Sequence, residues 1–134
     1  MGPSSVEFIE KASGIKTRYL IDKKNSLDTN VMKPILSQEN PGKVSILAEM
    51  SIHAAKEALD QAGIKAADVD AVILGTSHTS RNYPAIACEV MDELGIEGYG
   101  YDMLIGCSST TFAISNAYSD IASGLADTVL VLSL

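Results

Sequence analysis

Three short apolar runs alternate along this chain with three longer segments of helical periodicity, and a glycine follows each helical segment. The apolar runs cover residues 71–74, 101–105 and 128–132, and the glycines are Gly63, Gly95 and Gly124. A glycine after a periodic segment is typical of a helix end, and an apolar run without alternation is typical of a strand covered on both faces. Helices and strands that alternate over short distances predict an α/β fold with a parallel sheet and right-handed crossover helices.

The chain is predicted to have two regions. Residues 1–43 are polar and contain the turn signal Asn40-Pro41-Gly42, so we expect an irregular segment with one short helix near residues 6–12. Residues 44–134 are expected to form the α/β core. The last apolar run stops directly before Ser133 and Leu134 with no closing helix, which predicts an incomplete fold, either a fragment or a sheet that a partner segment completes.

Composition and charge exclude several classes of protein. The 134 residues are 46% hydrophobic, which is enough for one compact core, yet no apolar run is long enough to span a membrane and no signal peptide is evident. Two cysteines are too few for a disulfide framework, so a cytoplasmic location is expected. The net charge of −7 argues against nucleic acid as a partner. The first 33 residues carry six basic and four acidic side chains, a balance that suits either an anionic ligand or an ordinary solvated surface.

Cys107 is the main candidate for chemistry. It follows Gly106 at the point where an apolar run is expected to turn into a helix. The unpaired N–H groups and the dipole at a helix start favour the thiolate form of a cysteine, which is the nucleophilic form. Position alone also fits a small buried residue, because most free cysteines are packing material.

The other candidate residues leave several alternatives open. His53 and His78 lack the spacing of a zinc site with the cysteines, so no metal is expected. His78 follows the first predicted strand, on the side where Cys107 emerges, so either a Cys/His pair or a solvated histidine is possible. His53 is expected to point outward or to be structural, and Cys88 is expected to pack in the core. Asp102 is either a polar group at a strand end or a residue that orients the site.

Seven short segments stand in a particular order and spacing along the chain, namely residues 7–9, 13–18, 58–63, 70–77, 83–88, 94–96 and 102–107. Together they resemble the N-terminal half of a thiolase-fold condensing enzyme, in particular a β-ketoacyl-acyl-carrier-protein synthase III. The resemblance implies an acyltransferase of fatty-acid or polyketide synthesis, with Cys107 as the catalytic nucleophile. The thiol would take an acyl group from a thioester, and the carbanion formed by decarboxylation of a malonyl thioester would then attack it. The N–H of Cys107 would form part of an oxyanion hole.

The resemblance also implies partners and further site residues. Phe8, Thr76, Tyr83 and Ser108 match substrate-binding positions, and Tyr83 matches a position that reaches the acyl tunnel of a second subunit, so a homodimer is expected. No cofactor is implied, because thioesters of acyl carrier protein or coenzyme A serve as substrates.

Four departures from the family pattern keep other functions open. The catalytic His and Asn of the family lie in a C-terminal half that this sequence does not contain, and the first strand is also missing. Ala12 stands where enzymes that use acyl-CoA primers carry an arginine, and Ser108, Ser109 and Thr110 make the flank of Cys107 unusually polar. The alternatives are a non-catalytic module for dimerisation or carrier binding, and a thiolase-like or hydroxymethylglutaryl-CoA-synthase-like enzyme.

Overall fold

The structure is a computed structural model and describes residues 5–36 and 44–134. It divides into two compact units, Met1–Gln38 and Glu39–Leu134. The turn signal at residues 40–42 lies outside the described residues. Each unit is described by itself below.

In residues 5–36, the described part of the first unit, the chain forms two helices, α1 (Val6–Ser13) and α2 (Lys23–Ser26). The hydroxyl of Ser5 accepts the N–H of Phe8 at the start of α1, which confirms the short helix that the sequence predicts. The sequence does not predict α2. It forms because the Asp22 carboxylate accepts the N–H of Asn25, and that carboxylate also accepts the N–H of Ile35. The hydrogen bond from Ile35, followed by those from Asn25, lowers the pKa of Asp22.

The second unit alternates helices and strands, as predicted. Its elements are α3 (Ile46–Ala62), β1 (Ala71–Thr76), α4 (Ile86–Leu94), β2 (Tyr99–Leu104), α5 (Ser109–Ser123) and β3 (Val129–Ser133). One-turn 3₁₀ helices at Ala66–Asp68 and Gly106–Ser108 precede β1 and α5. The strands form a parallel sheet in the order β2-β1-β3, and all six residues of the central strand are buried. The prediction of a parallel α/β fold is confirmed.

The two faces of the sheet are covered by different helices. Helices α3 and α4 pack on one face and bury large apolar side chains there, including Ile52, Val72, Leu74, Val90, Leu130 and Leu132. Helix α5 packs on the other face, where Ile73 meets Ala113 and Ala117. In the part of the chain that the structure describes, no helix is long and apolar enough to cross a membrane.

The helix ends agree with the sequence better than the helix starts. Gly63, Gly95 and Gly124 all adopt positive φ directly after a helix, as predicted. Pro84 is expected in the first turn of α4, but that helix begins two residues later, at Ile86. The reason is that the Asp102 carboxylate accepts the N–H groups of Ile86 and Ala87, at 2.7 and 2.9 Å, and thereby fixes the first turn there.

Candidate functional site

The carboxyl ends of the three strands meet at one edge of the sheet. Thr76 of β1 pairs with Leu104 of β2, and Gly75 of β1 pairs with Ser133 of β3. The chain leaves β2 at this edge and reaches Cys107 three residues later. Sites of parallel sheets lie at this edge, so the fold brings Cys107 to the place that the sequence predicts.

The local structure at Cys107 differs from the expected one. Cys107 is the middle residue of the 3₁₀ helix Gly106–Ser108, and α5 begins only at Ser109. Gly106 has a φ of 62°, a conformation that other residues rarely adopt, and it turns the chain sharply after Ile105. The thiol of Cys107 is exposed, so the interpretation of this cysteine as a buried packing residue is wrong.

Hydrogen bonds of the Ser109 side chain connect this turn to the sheet. Its side-chain oxygen accepts the N–H of Ile105 at 2.8 Å and lies within donor distance of two carbonyls, those of Gly106 at 2.8 Å and Thr76 at 2.9 Å. A Cβ on Gly75 would lie 2.8 Å from the carbonyl carbon of Ser109, so only glycine lets α5 start this close to β1. Sequence reasoning placed Ser109 only in a polar flank, because its partners lie on other elements.

The predicted substrate-binding residues occupy different surroundings. Thr76 is buried, and its hydroxyl accepts the N–H of His78 and donates to the carbonyl of the same residue. Ser108 is exposed next to Cys107. Tyr83 is 86% exposed on the loop between β1 and α4. Phe8 is exposed on α1 of the first unit.

The structure places both histidines and Cys88 at exposed positions. His78 is exposed, and among the described residues no hydrogen bond joins it to Cys107. His53 is exposed on α3, as expected. Cys88 is also exposed, with its sulfur 3.8 Å from the carbonyl oxygen of Gly100, so its predicted place in the core is wrong. Residues 5–36 and 44–134 contain no cluster of His, Cys, Asp or Glu that could hold a metal ion.

An ionic network around the buried Glu89 anchors the loop that carries Tyr83. Glu89 of α4 is 7% exposed and accepts the N–H of Ser45 at 2.7 Å, while Arg81 of the loop donates to Glu89 at 2.7 Å. The hydroxyl of Ser45 also donates to Glu89 and accepts the N–H of Ala48 at the start of α3. Ser45 carries the ordinary sequence signal of a helix N-cap, but its link to Glu89, 44 residues away, has no local signal.

Comparisons with known proteins show which family this chain resembles. The family model described as "Thiolase, N-terminal domain" matches residues 29–133. A β-ketodecanoyl-[acyl-carrier-protein] synthase of Pseudomonas aeruginosa is 49% identical over 99% of this chain, and the chain covers 38% of that protein. A 3-oxoacyl-[acyl-carrier-protein] synthase III from Aquifex aeolicus is 35% identical, with a TM-score of 0.64 over 68% of this chain and 30% of that one.

A further solved structure covers nearly the whole chain. It is described as a priming β-ketosynthase of a polyketide biosynthetic pathway and is 25% identical, with a TM-score of 0.68 over 97% of this chain and 33% of its own. The chain therefore spans about a third of the length of the relatives that it matches. Because the family model matches most of its residues, the chain belongs to the thiolase family.

Proposed function

We propose that this chain is the nucleophile-bearing part of a condensing enzyme of the β-ketoacyl-acyl-carrier-protein synthase III type. The observation that carries the proposal is the exposed thiol of Cys107, which a glycine turn holds at the carboxyl edge of a parallel sheet. The names of the relatives support the reaction class, since both the Pseudomonas aeruginosa and the Aquifex aeolicus proteins are described as synthases that act with acyl carrier protein. A cytoplasmic location, which keeps thiols reduced, fits this use of Cys107.

In the first step the Cys107 thiolate attacks the carbonyl carbon of an acyl thioester. The tetrahedral intermediate carries a negative oxygen, which collapses back as the thiolate of the donor leaves, so that the acyl group remains on Cys107. The first N–H groups of a helix lack partners within it, and Cys107 is the second residue of its 3₁₀ turn. The N–H of Cys107 is therefore the proposed donor to the oxyanion.

In the second step a malonyl thioester on acyl carrier protein loses CO₂, and its carbanion attacks the acyl carbonyl on Cys107. The new carbon–carbon bond forms as the Cys107 thiolate leaves, which gives a β-ketoacyl thioester and restores the thiol. The His and Asn that the resemblance implies for this step have no matching positions in this chain. We propose that they belong to the remaining two thirds of a protein of the relatives' length.

Tyr83 and Ser108 are the proposed contacts of the acyl group. Ser108 is exposed directly beside the thiol, and Tyr83 projects from a loop that the Arg81–Glu89 ion pair holds in place. An aromatic side chain that is 86% exposed is available to a second subunit, which supports the homodimer implied by the resemblance. Acyl carrier protein is the proposed partner, since Ala12 does not supply the arginine of enzymes that use acyl-CoA primers.

The acyl-transfer step can be tested on the chain or on a longer protein that carries it. The protein is incubated with an acyl thioester of coenzyme A or of acyl carrier protein, digested, and analysed by mass spectrometry. We expect an acyl adduct on the Cys107 peptide that Cys107→Ala abolishes. Cys88→Ala is the matched control, because Cys88 is also exposed, and it should keep the adduct.

Two outcomes would count against the proposal. Absence of an adduct on Cys107 in the folded full-length protein would favour a non-catalytic module. A full-length protein that condenses two acetyl thioesters but ignores malonyl thioesters would favour a thiolase.

A further inference from the structure

We infer that Ser109 is a positioning residue for Cys107. Its buried hydroxyl sets the turn that presents the thiol to the acyl carbonyl. The inference rests on the proposed function, in which Cys107 accepts the acyl group.

The hydrogen bonds of Ser109 connect the residue two positions after Cys107 with the two residues before it. Ile105 and Gly106, directly before the cysteine, each contact the Ser109 oxygen at 2.8 Å. The third contact, 2.9 Å to the carbonyl of Thr76, ties the same oxygen to the end of the neighbouring strand. One side chain thus joins the exit of β2, the end of β1 and the start of α5.

The direction of these bonds separates Ser109 from an ordinary helix cap. A capping side chain accepts N–H groups of the first helical turn that follows it. The partners of Ser109 all precede it in the chain, two of them at the turn and one at the end of β1, and Ser108, the N-cap residue of α5, makes no side-chain capping bond. The hydroxyl therefore stabilises the turn around the thiol and not the helix.

Ser109 occupies a buried and crowded site. The residue is 2% exposed, and the close approach of Gly75 fills the space on the β1 side. Without the hydroxyl, the Ile105 N–H loses its acceptor and the turn loses its link to β1. We expect the thiol then to sample several orientations. Acyl transfer requires alignment of the sulfur with the carbonyl and the oxyanion donors, and is sensitive to such a change.

The experiment compares two reactions of the same thiol in Ser109→Ala. Acyl transfer from a thioester needs an aligned sulfur, whereas alkylation by iodoacetamide needs only an accessible one. We expect acyl transfer to Cys107 to fall about tenfold while alkylation stays within about threefold of the wild-type rate. Ser119→Ala, the same change at an exposed site on α5, is the control and should alter neither rate.

A second measurement reports on the stability of the turn and needs no substrate. Amide hydrogen exchange of a peptide that covers residues 105–108 should be faster in Ser109→Ala than in the wild type and unchanged in Ser119→Ala. If Ser109→Ala does not fold, Ser109→Thr, which keeps the hydroxyl, should fold and transfer the acyl group within about threefold of the wild type.

The other outcomes distinguish a failure of the positioning role of Ser109 from a failure of the proposed function of Cys107. Unchanged acyl transfer in Ser109→Ala, or an equal fall in acyl transfer and alkylation, would overturn the positioning role, and so would a folded Ser109→Thr that has lost acyl transfer. If the wild-type protein forms no acyl adduct, the proposed function fails. Hydrogen exchange then decides alone whether Ser109 orders the turn, and an unchanged exchange rate would overturn the inference.

Discussion

The two faces of the sheet bury apolar side chains of different number and size. On the face of α3 and α4, large side chains such as Ile52, Val72 and Leu74 form a continuous apolar core. On the face of α5 the buried apolar set is Ile73, Ala113 and Ala117, and hydrogen bonds join the helix to the strands along its length. These bonds are Ser109 to Thr76, Asn116 to Tyr101, Tyr99 to Asp120 and Thr110 to Ser133.

The difference suggests a division of roles between the face that stabilises the fold and the face that positions Cys107. Apolar packing is strong but tolerant of small shifts, so it suits the face that contributes most of the stability. Hydrogen bonds between side chains, or from a side chain to a backbone carbonyl, define positions closely, so they suit the face of α5, the helix that follows Cys107. The comparison predicts that substitutions on the first face reduce stability and that substitutions on the second face reduce acyl transfer.

The largest effect on stability is expected for Leu74→Ala. Leu74 is fully buried on the α3/α4 face, and truncation of such a side chain costs about 2–5 kcal/mol in unfolding free energy. Chemical denaturation of the wild type and the variant measures this. Ile121→Ala, at a half-exposed site on α5, is the control and should change the free energy by less than about 0.5 kcal/mol. Equal effects at the two sites would contradict a large contribution of the α3/α4 core to stability.

Gly75→Ala tests the close contact on the other face. The added Cβ would lie 2.8 Å from backbone atoms of Ser109 and Thr110, so α5 must move. We expect a loss of about 1–3 kcal/mol in unfolding free energy, together with a loss of acyl transfer that exceeds that of folded Leu74→Ala. Acyl-transfer rates measured where both variants are folded provide the comparison. A Gly75→Ala protein with the wild-type rate would contradict the close-contact argument.

Asp102→Ala removes a link from β2 to the start of α4. The carboxylate accepts two backbone N–H groups there, and loss of a helix cap costs about 0.5–2 kcal/mol. Asp102→Asn keeps one acceptor oxygen, so thermal or chemical unfolding should place it between the wild type and Asp102→Ala. Equal stability of all three proteins would show that the cap contributes nothing.

The smallest effect is expected for Tyr99, whose hydroxyl donates to Asp120 at 2.7 Å on the α5 face. Burial and this hydrogen bond raise the pKa of Tyr99 to about 12. An unfolded tyrosine loses its proton near pH 10, whereas the folded one keeps it, so the contribution of Tyr99 to stability is complete below pH 10 and is lost as the pH rises through about 12.

Tyr99→Phe should cost about 0.5–1.5 kcal/mol at neutral pH. It should also flatten the fall in stability between pH 10 and 12, as measured by denaturation at a series of pH values. If stability depends on alkaline pH in the same way in Tyr99→Phe and the wild type, the bond from Tyr99 to Asp120 does not stabilise the packing of α5.

The sequence predicted the elements that depend on local signals. The glycines after α3, α4 and α5 and the apolar runs of β1 and β3 each mark their element within a few residues, and the parallel sheet follows from their alternation. The place of Cys107 at the carboxyl edge followed from the same pattern, because Gly106 directly precedes it.

The remaining features depend on contacts between distant residues. Asp102 moves the start of α4 past Pro84, and Ser109 converts the expected helix start at Cys107 into a separate 3₁₀ turn. The exposure of Cys88 is of the same kind, since it depends on the packing of α4 against β2. Periodicity along one element does not predict these contacts, because most of them join different elements, with partners up to 33 residues apart.

The central claim is that the geometry at the carboxyl edge, and not mere exposure, makes Cys107 an acyl acceptor. The two cysteines of the chain are both exposed, which allows a direct test within one molecule. The measurement is the ratio of acylated Cys107 to acylated Cys88 in a single digest after incubation with an acyl thioester. The account predicts acylation of Cys107 with little or none on Cys88. Equal labelling of the two, or preferential labelling of Cys88, would contradict it.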